Sequence, residues 1–459
     1  MEEGAEIKRA LRLHRCAASL GAKESLNLAY VIRTLRDSFT PLRLPNLRTY
    51  LIGQAISLLG TWMQVTAQGW LVWELSKSEA ALGIVSMLGS LPLLLFGLWA
   101  GVWVDRLDRR KILISTQAAA MILAFILAVL VWTSTVQLWH VYILSFLLGC
   151  VGAIDFPAQQ AFLGDLSGMT SVRKAIVLNA MFFQIGRMIG PALAGFVVGA
   201  IGAAMAFFLN GISFIAVIIS LLIVRSHQVR LAGGGDQLRA VLDGLRFIKS
   251  EQRIQELILF ATLVTFFGIS LLSFFPALAA DVLQGDAQTL GVLLASSGAG
   301  AFVGATIVAP LAQTARRIGR VLGFAVIWVG AWWIAVSFSH VLLVTMLCVF
   351  LVSLAMPTVM TTVNGLLQVM APPKMRGRLL SAYILVSFGI QPIAALIIGF
   401  FASRLGIAGA IMIDGLAIIA GAALLLILRP ALRSWIAPHS ADETGSDKAD
   451  TENVSVEPA

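Results

Sequence analysis

The feature that most constrains this chain is a series of long apolar runs without charged residues. Runs of about 18 residues or more recur along the sequence, and a helix of that length crosses the hydrocarbon core of a bilayer. Of the 459 residues, 58% are hydrophobic and 12% are charged, whereas about 25% of residues are charged in a soluble domain. The sequence therefore predicts a polytopic membrane protein and excludes a soluble enzyme.

Glycines, prolines and charge clusters divide these runs into twelve candidate spans in two sets of six. The sets are separated by a polar linker, 225–256, which contains an amphipathic segment. We expect an all-α fold with two six-helix bundles, 49–224 and 257–428. A basic arm, 1–48, precedes them, and an acidic, disordered tail, 429–459, follows them. The twelve expected spans are 49–73, 81–104, 112–133, 138–162, 175–199, 203–224, 257–280, 288–312, 318–338, 341–368, 379–402 and 406–428.

Lysine and arginine lie almost entirely in alternate loops. Of 33 such residues, only Lys77 and Arg404 fall on the opposite side, and Arg187 falls inside a span. Because cytoplasmic loops retain positive charge, both termini are predicted to be cytoplasmic. The formal net charge of +9 is spread over every loop of that side, so the pattern indicates membrane insertion and disfavours a nucleic-acid partner.

The two halves carry a weak internal repeat. The segment that starts at Ser145 aligns without gaps on the segment that starts at Val349, and the same shift of 204 residues places Gly195 on Gly399. Equivalent helices would then run in the same direction, as in parallel repeats whose interface encloses a path through the membrane. This arrangement favours a transporter.

A short loop after the second span holds two acids among four bases. Positive-inside anchoring explains the bases, but it does not explain the acids, which can pair with a nearby arginine or cap a helix N-terminus. Because such contacts form in one conformation and break in another, we interpret the loop as a conformational latch. Its candidate residues are Gly101, Asp105, Arg106, Asp108, Arg109 and Arg110.

The fifth span contains the segment GRMIGPALAG. Small residues four positions apart allow two helices to approach closely, and a proline removes a backbone hydrogen bond and can kink the helix. The candidate residues are Gly186, Gly190, Pro191 and Gly195.

The loop resembles the signature Gly-x-x-x-Asp-Arg-x-x-Arg-Arg of the major facilitator superfamily, and GRMIGPALAG is similar to a motif of its exporters. Together with IDFPAQQAF, FFLNGISF and FFPALAADVL, these segments resemble the transmembrane secretion effector branch. The resemblance implies a twelve-helix facilitator in the bacterial inner membrane that exports siderophores or hydrophobic drugs, generally coupled to protons. It also implies a second, degenerate latch from Ala309, where Gln313 replaces the acid.

Three ionisable residues, Asp155, Arg187 and Asp414, lie inside the spans, where charge is costly and is therefore a candidate for function. Asp155 and Arg187 lie at similar depth on successive antiparallel helices, so an ion pair between them is possible. Protonation of Asp155 would then release Arg187 and couple proton movement to conformation. The alternatives are a structural pair, or two residues that each face water. Asp414 lies in the last span, which is usually peripheral in this superfamily.

One departure leaves the coupling ion open. Many proton-coupled exporters that resemble this chain carry an arginine in the fourth span four residues before a glycine, and here Ser145 precedes Gly149. Uncharged polar residues of the spans are candidates for the substrate path, and each is equally explicable as a contact between packed helices. They are Gln54, Gln64, Gln68, Asn179, Gln184, Asn210, Asn364 and Gln391.

We expect a secondary active exporter that works by alternating access and exchanges a small amphipathic molecule for protons. No nucleotide-binding Gly-x-x-x-x-Gly-Lys-Ser/Thr loop occurs, and the scattered histidines and cysteines predict no metal site, no cofactor and no enzyme activity. A monomer is expected. The alternatives are a solute importer and a membrane sensor or scaffold that moves no solute.

Overall fold

The computed structural model describes residues 39–224, 237–313, 315, 317–373 and 375–429. The predicted N-terminal arm and acidic tail lie largely outside these residues. Within the described part, all regular secondary structure is helical. The expected all-α fold class is therefore confirmed.

The first half contains six long helices that follow the expected spans closely. A single helical run, Leu138–Ile201, breaks at Gly168, where φ is 69°, so its two arms are counted separately. The helices are α1 (Pro45–Ser76), α2 (Glu79–Arg106), α3 (Arg109–Trp132), α4 (Leu138–Gly168), α5 (Lys174–Ile201) and α6 (Ala203–Ile223).

The second half begins with a shorter helix, α7 (Gln237–Ser250), in the segment predicted to be amphipathic. The long helices that follow are α8 (Gln252–Val282), α9 (Ala287–Gln313), α10 (Ile318–Ser337), α11 (Leu342–Met370) and α12 (Arg376–Phe388). The last run, Gln391–Leu428, bends at Gly406 into α13 (391–405) and α14 (407–428). Helices α12 and α13 together form one span.

Ten helical stretches of the described chain are long and apolar enough to cross a membrane. One of them, 376–428, contains the bend at Gly406 and so supplies two spans, and α1 is a further helix of 32 residues. Large apolar side chains cover the outside, with Phe338 69% and Leu343 75% exposed. Such an apolar surface is stable only when lipid covers it, so the chain is a multi-pass membrane protein.

The backbone repeats with the shift of 204 residues found in the sequence. Helix α4 begins at Leu138 and α11 at Leu342. The turns into α6 and α14 each contain a glycine with positive φ, 102° at Gly202 and 72° at Gly406. An L side chain is disfavoured at such φ values, so the same turn chemistry occurs at the same place in both halves.

The two halves approach each other closely along two helix pairs, α5 with α9 and α2 with α13. A Cβ added to Gly195 would lie 2.8 Å from the Ala287 carbonyl oxygen, and one added to Gly399 would lie 3.3 Å from the Cα of Gly83. Gly83 and Ala287 are again 204 residues apart, so the repeat relates the two contacts. Both contacts lie at the end of the helices that is distant from the signature loop, residues 101–111. We name this end the closed face. In the described chain, no similar glycine contact joins the membrane helices of the halves at the signature-loop face.

Candidate functional site

The signature loop connects α2 to α3, and its second acid caps a helix. The Asp108 carboxylate accepts hydrogen bonds from the backbone N–H groups of Arg110 at 3.0 Å and Lys111 at 3.3 Å. It thereby satisfies donors at the N-terminus of α3 that no helical carbonyl can reach. The sequence analysis anticipated capping as one role for the acids of this loop.

Two arginines of the loop attach α3 to its neighbours within the first half. Arg109 donates to the Asp165 carboxylate of α4 at 2.7 Å, and both side chains are buried. Arg110 donates to the carbonyl oxygens of Leu221 at 2.5 Å and Leu222 at 2.6 Å, near the C-terminal end of α6. A positive charge is favourable there because the last carbonyls of a helix lack backbone partners.

The remaining latch candidates are less informative. Gly101 lies in the last part of α2 and Arg106 ends that helix with an exposed side chain, while the side chain of Asp105 lies outside the described part. In the degenerate copy, Gln313 ends α9, and some of the following residues lie outside the described chain. The role of this loop as a conformational latch therefore stays a prediction.

The glycine and proline motif of α5 lies where α1, α5 and α9 meet. A Cβ on Gly190 would lie 2.6 Å from the Cβ of Trp62, and Gly186 also faces α1. At the next residue, the Pro191 carbonyl oxygen lies 2.6 Å from the position of a Cβ on Gly291 of α9. The motif thus permits close packing within the first half and across the two halves.

A first chamber, of about 590 Å³, lies within the first half and contains Asp155. Its lining comes from α1 to α4 and α6, except for Ser273 of α8. The Asp155 carboxylate accepts from the Thr116 hydroxyl at 2.6 Å, the Gln117 amide at 3.0 Å and the Gln159 amide at 2.5 Å. All three donors are uncharged, so no cation compensates the carboxylate through these contacts.

The polar layer continues across the chamber in pairs of side chains. The Gln54 amide donates to Gln159 at 3.2 Å, which extends the chain from Asp155 to α1. The Asn210 amide donates to Gln64 at 2.6 Å, so α6 and α1 are joined as well. Polar side chains without such partners would be costly at this depth, and the pairing keeps the chamber lining ordered.

The structure does not form the proposed ion pair between Asp155 and Arg187. The Arg187 guanidinium instead donates to the Ser297 hydroxyl of α9 at 3.3 Å and lies 5.8 Å from the centre of the Trp62 ring. Residue spacing along the helices predicted the depth of the two residues in the membrane. It did not predict the direction in which each side chain leaves its helix. Asp155 faces the first half, and Arg187 faces the contact between the halves.

A second chamber, of about 490 Å³, lies between the halves and is lined by Arg187. It shares Ser86, Ser90 and Ser273 with the lining of the first chamber, and the hydroxyls of Ser86 and Ser273 lie 3.0 Å apart across the two halves. The two chambers are therefore adjacent. Gln391, which the repeat places opposite Arg187, lines the second chamber as well.

The path residues proposed from the sequence separate into two groups. Gln54, Gln64, Gln68 and Asn210 line the first chamber, and Gln391 lines the second.

Three of these path residues line neither chamber. Gln184 donates to the Ala301 carbonyl oxygen at 3.3 Å, and Asn364 accepts from Gln368 at 2.6 Å, whereas Asn179 keeps a buried amide oxygen without a hydrogen-bond partner. Sequence reasoning missed Gln117 and Gln159. The spacing of Gln159, four residues after Asp155 and so on the same helix face, was a usable signal.

Asp414 of α14 is buried, and its Oδ2 atom has no hydrogen-bond partner in the described structure. The repeat places it at the position of Asn210, whose partner Gln64 corresponds to Gly268. Glycine has no side chain that could bond to the carboxylate. This carboxylate, which was the weakest candidate in the sequence, lines neither chamber.

Among the residues that the structure describes, no group of three or more His, Cys, Asp or Glu side chains could hold a metal ion. The described cysteines, Cys150 and Cys348, are free thiols. The candidate site thus consists of the two chambers and the polar side chains that line them.

Two repeated bundles of membrane-spanning helices, with adjacent chambers within and between them, define a membrane transporter of the facilitator type. The chain belongs to the transmembrane secretion effector family, whose model matches residues 36–457.

Several characterised transporters are similar to this chain along most of their length. The staphyloferrin A transporter of Staphylococcus aureus is 25% identical over 79% of this chain and 90% of its own. Macrolide efflux protein A of Streptococcus pyogenes is 24% identical over 80% and 92%. The multidrug efflux pump Tap of Mycolicibacterium fortuitum is 26% identical over 76% and 87%.

Solved structures share the fold at low sequence identity. The nucleoside transporter NupG matches with a TM-score of 0.67 and 11% identity over 85% of this chain and 99% of its own. An inward-facing bacterial homologue of the human lysosomal transporter Spinster matches with a TM-score of 0.63 and 15% identity over 86% and 97%. These likenesses support the facilitator architecture.

Proposed function

We propose that this protein is a secondary active exporter that exchanges a small amphipathic molecule for protons. The observation that carries the proposal is the first chamber, where a carboxylate bonded only to neutral donors lies in a cavity of about 590 Å³. Cavities of roughly 300–1,000 Å³ hold drug-sized ligands. A proton-accepting group and a ligand-sized cavity therefore occur at the same place.

The packing of the halves supports alternating access as the proposed mode of transport. They are in contact at the closed face, and the distribution of lysine and arginine assigns the signature-loop face to the cytoplasm. We propose that the structure represents an inward-facing state, with both termini in the cytoplasm of a bacterium. Outward opening requires separation of α5 from α9 and of α2 from α13, and the close glycine contacts are the places where the helices part.

Asp155 is the proposed proton carrier. In the ionised form it accepts three hydrogen bonds, and on protonation one oxygen becomes a donor. Gln159, which donates to Asp155 and accepts from Gln54, would then have to reorient. Protonation thus alters the contact between α4 and α1, and a change in helix contacts is what a coupling step requires.

The substrate class follows from the lining and from the relatives. Uncharged amides and hydroxyls alternate with apolar residues such as Phe156 and Phe214 around the first chamber. Such a lining suits an amphipathic molecule, and relatives of this chain are named for macrolides and for staphyloferrin A. We propose export of a siderophore-like or hydrophobic drug-like molecule by a single chain.

The test uses purified protein in proteoliposomes that contain a pH-sensitive dye. A macrolide and staphyloferrin A are added in turn, with and without an imposed pH gradient. The proposal expects substrate-evoked proton movement and substrate accumulation against its own gradient when the pH gradient is present. Equal uptake in both directions without proton movement would support a facilitator or importer. A folded protein that stays silent with both compounds would contradict the exporter and favour a sensor or scaffold.

A further inference from the structure

We propose that Arg187 and Gln391 form a subsite for the carboxylate of an amphipathic organic anion, an inference that rests on the proposed transport function and narrows its substrate class. Both residues line the second chamber, one from each half. The shift of 204 residues places them at equivalent positions of the two halves, so the repeat contributes one polar residue from each half to the same chamber. Their roles are those of substrate-binding residues.

The Arg187 guanidinium has more hydrogen-bond donors than the described residues use. Arginine presents five N–H donors in a planar fork, and the described structure shows one hydrogen bond from Arg187, to the Ser297 hydroxyl at 3.3 Å. No carboxylate pairs with Arg187 among the described residues, and the described lining of the second chamber contains no acid. A cation within a membrane span is costly without a partner, so an anion from outside the protein is favoured there.

Neighbouring side chains orient the Arg187 guanidinium. The centre of the Trp62 ring lies 5.8 Å from the guanidinium, and Ser297 accepts a hydrogen bond from it. Ser297 is itself within 2.8 Å of the Ser353 hydroxyl, which fixes its position on α9. The guanidinium is therefore oriented before a ligand arrives, and an ordered fork binds carboxylate oxygens in pairs.

Gln391 and the apolar side chains of the second chamber can contact the rest of the ligand. The described structure shows no hydrogen bond from the Gln391 side chain, so its amide N–H groups can donate to a ligand oxygen. Phe183 and Phe388 line the same chamber of about 490 Å³. A carboxylate between Arg187 and Gln391 would thus place an aromatic or aliphatic body against these rings.

The experiment compares two fluorescent probes that differ only at the charged group. Dansylglycine carries a carboxylate, and dansylglycinamide replaces it with a neutral amide. Fluorescence anisotropy with purified wild-type protein in detergent is expected to give at least tenfold tighter binding of the carboxylate probe. Arg187→Gln is expected to reduce that preference to about onefold while binding of the amide probe changes less than twofold.

Two further variants keep the outcome interpretable. Arg187→Lys retains the charge without the fork and is expected to keep an intermediate preference. Arg404→Gln is the matched control, because Arg404 also stacks on an aromatic ring, at 5.1 Å from Phe400, but is exposed and lines neither chamber. It is expected to keep the full preference.

The subsite is refuted if wild type binds both probes equally, or if Arg187→Gln retains the preference. In either case Arg187 would be a structural contact between α5 and α9. Failure of the exporter itself is distinguished in liposomes. A protein that exchanges a macrolide, which has no carboxylate, for protons but shows no carboxylate preference retains the proposed function and loses only the subsite.

Discussion

Equivalent positions in the two halves carry different polar groups. In the first half, Asn210 of α6 donates to Gln64 of α1 at 2.6 Å. In the second half the same positions hold Asp414, whose Oδ2 has no partner in the described structure, and Gly268, which has no side chain to offer. The backbone repeat is therefore conserved within the molecule while the chemistry is concentrated in the first half.

The same contrast holds at the chambers. Asp155 corresponds to Val359, which is fully buried in an apolar cluster, and Arg187 corresponds to the neutral Gln391. At the closed face, by contrast, the halves are alike, since both contacts depend on glycines at equivalent positions. Symmetry is thus retained where the halves pack against each other at the closed face and lost at the two chambers.

The largest expected effect concerns ion pairs in the two halves. Asp165→Asn removes the carboxylate from the buried pair with Arg109, so we expect a loss of about 3–5 kcal/mol in the free energy of unfolding. Asp243→Asn, which breaks an exposed pair with Arg378, is expected to cost at most about 1 kcal/mol. Unfolding in sodium dodecyl sulfate, followed by circular dichroism, measures both; equal losses would show that burial does not distinguish the pairs.

A smaller effect is expected at the unequal polar pair of α6 and α14. Gln64→Leu removes the acceptor of the buried Asn210 amide and is expected to cost about 1–3 kcal/mol. Asp414→Asn replaces a buried carboxyl group that has an unpartnered oxygen with a neutral amide of the same shape that cannot ionise, so stability should be unchanged or higher. The same unfolding assay decides, and a marked loss in the Asp414 variant would mean that this carboxylate has a stabilising partner.

The smallest effect concerns helix starts at the closed face. The Asp286 side chain caps α9 by accepting from the backbone N–H of Thr289 at 3.0 Å, whereas Ser78 before α2 makes no such bond. Asp286→Ala should therefore cost about 1 kcal/mol, and Ser78→Ala no more than about 0.5 kcal/mol. Thermal unfolding midpoints of the two variants measure the difference, and reversal of their order would reject this assignment of the caps.

The cap also has a defined pH dependence. The hydrogen bond from the Thr289 backbone lowers the pKa of Asp286 below its ordinary value. The stabilisation is then complete above the unfolded pKa of about 3.9 and is lost as the pH falls through the lower folded pKa. The difference in stability between wild type and Asp286→Ala should accordingly shrink in acid and stay constant near neutral pH.

Hydropathy and charge were sufficient to predict the helices, because a membrane span is specified by length and apolar composition. The starts of α4 at Leu138 and of α6 at Ala203 coincide with the expected spans. Helix α8 was harder, since it begins at Gln252, five residues before the expected start, and contains wider π-helical turns such as Val264–Ile269. Hydropathy does not determine which backbone carbonyl accepts the hydrogen bond of a given backbone N–H group.

The candidate site was only partly predictable. The cost of charge in a membrane singled out Asp155 and Arg187 as ionisable residues within the spans, and the structure places each in the lining of a chamber. Their pairing was wrong because depth along a helix does not define the direction of a side chain around the helix axis. Glutamines such as Gln117 commonly form contacts between packed helices. The sequence alone therefore could not distinguish the glutamines that donate to Asp155 from those that only pack.

We propose that the carboxylate that couples proton movement to transport lies in the first half. The most direct test removes the Asp155 and Asp414 carboxylates one at a time. Wild type, Asp155→Asn and Asp414→Asn are reconstituted in proteoliposomes, and proton movement evoked by a transported substrate is recorded with the internal dye. We predict a loss of at least tenfold in Asp155→Asn and less than twofold in Asp414→Asn. Coupling that persists in Asp155→Asn and disappears in Asp414→Asn would contradict the account.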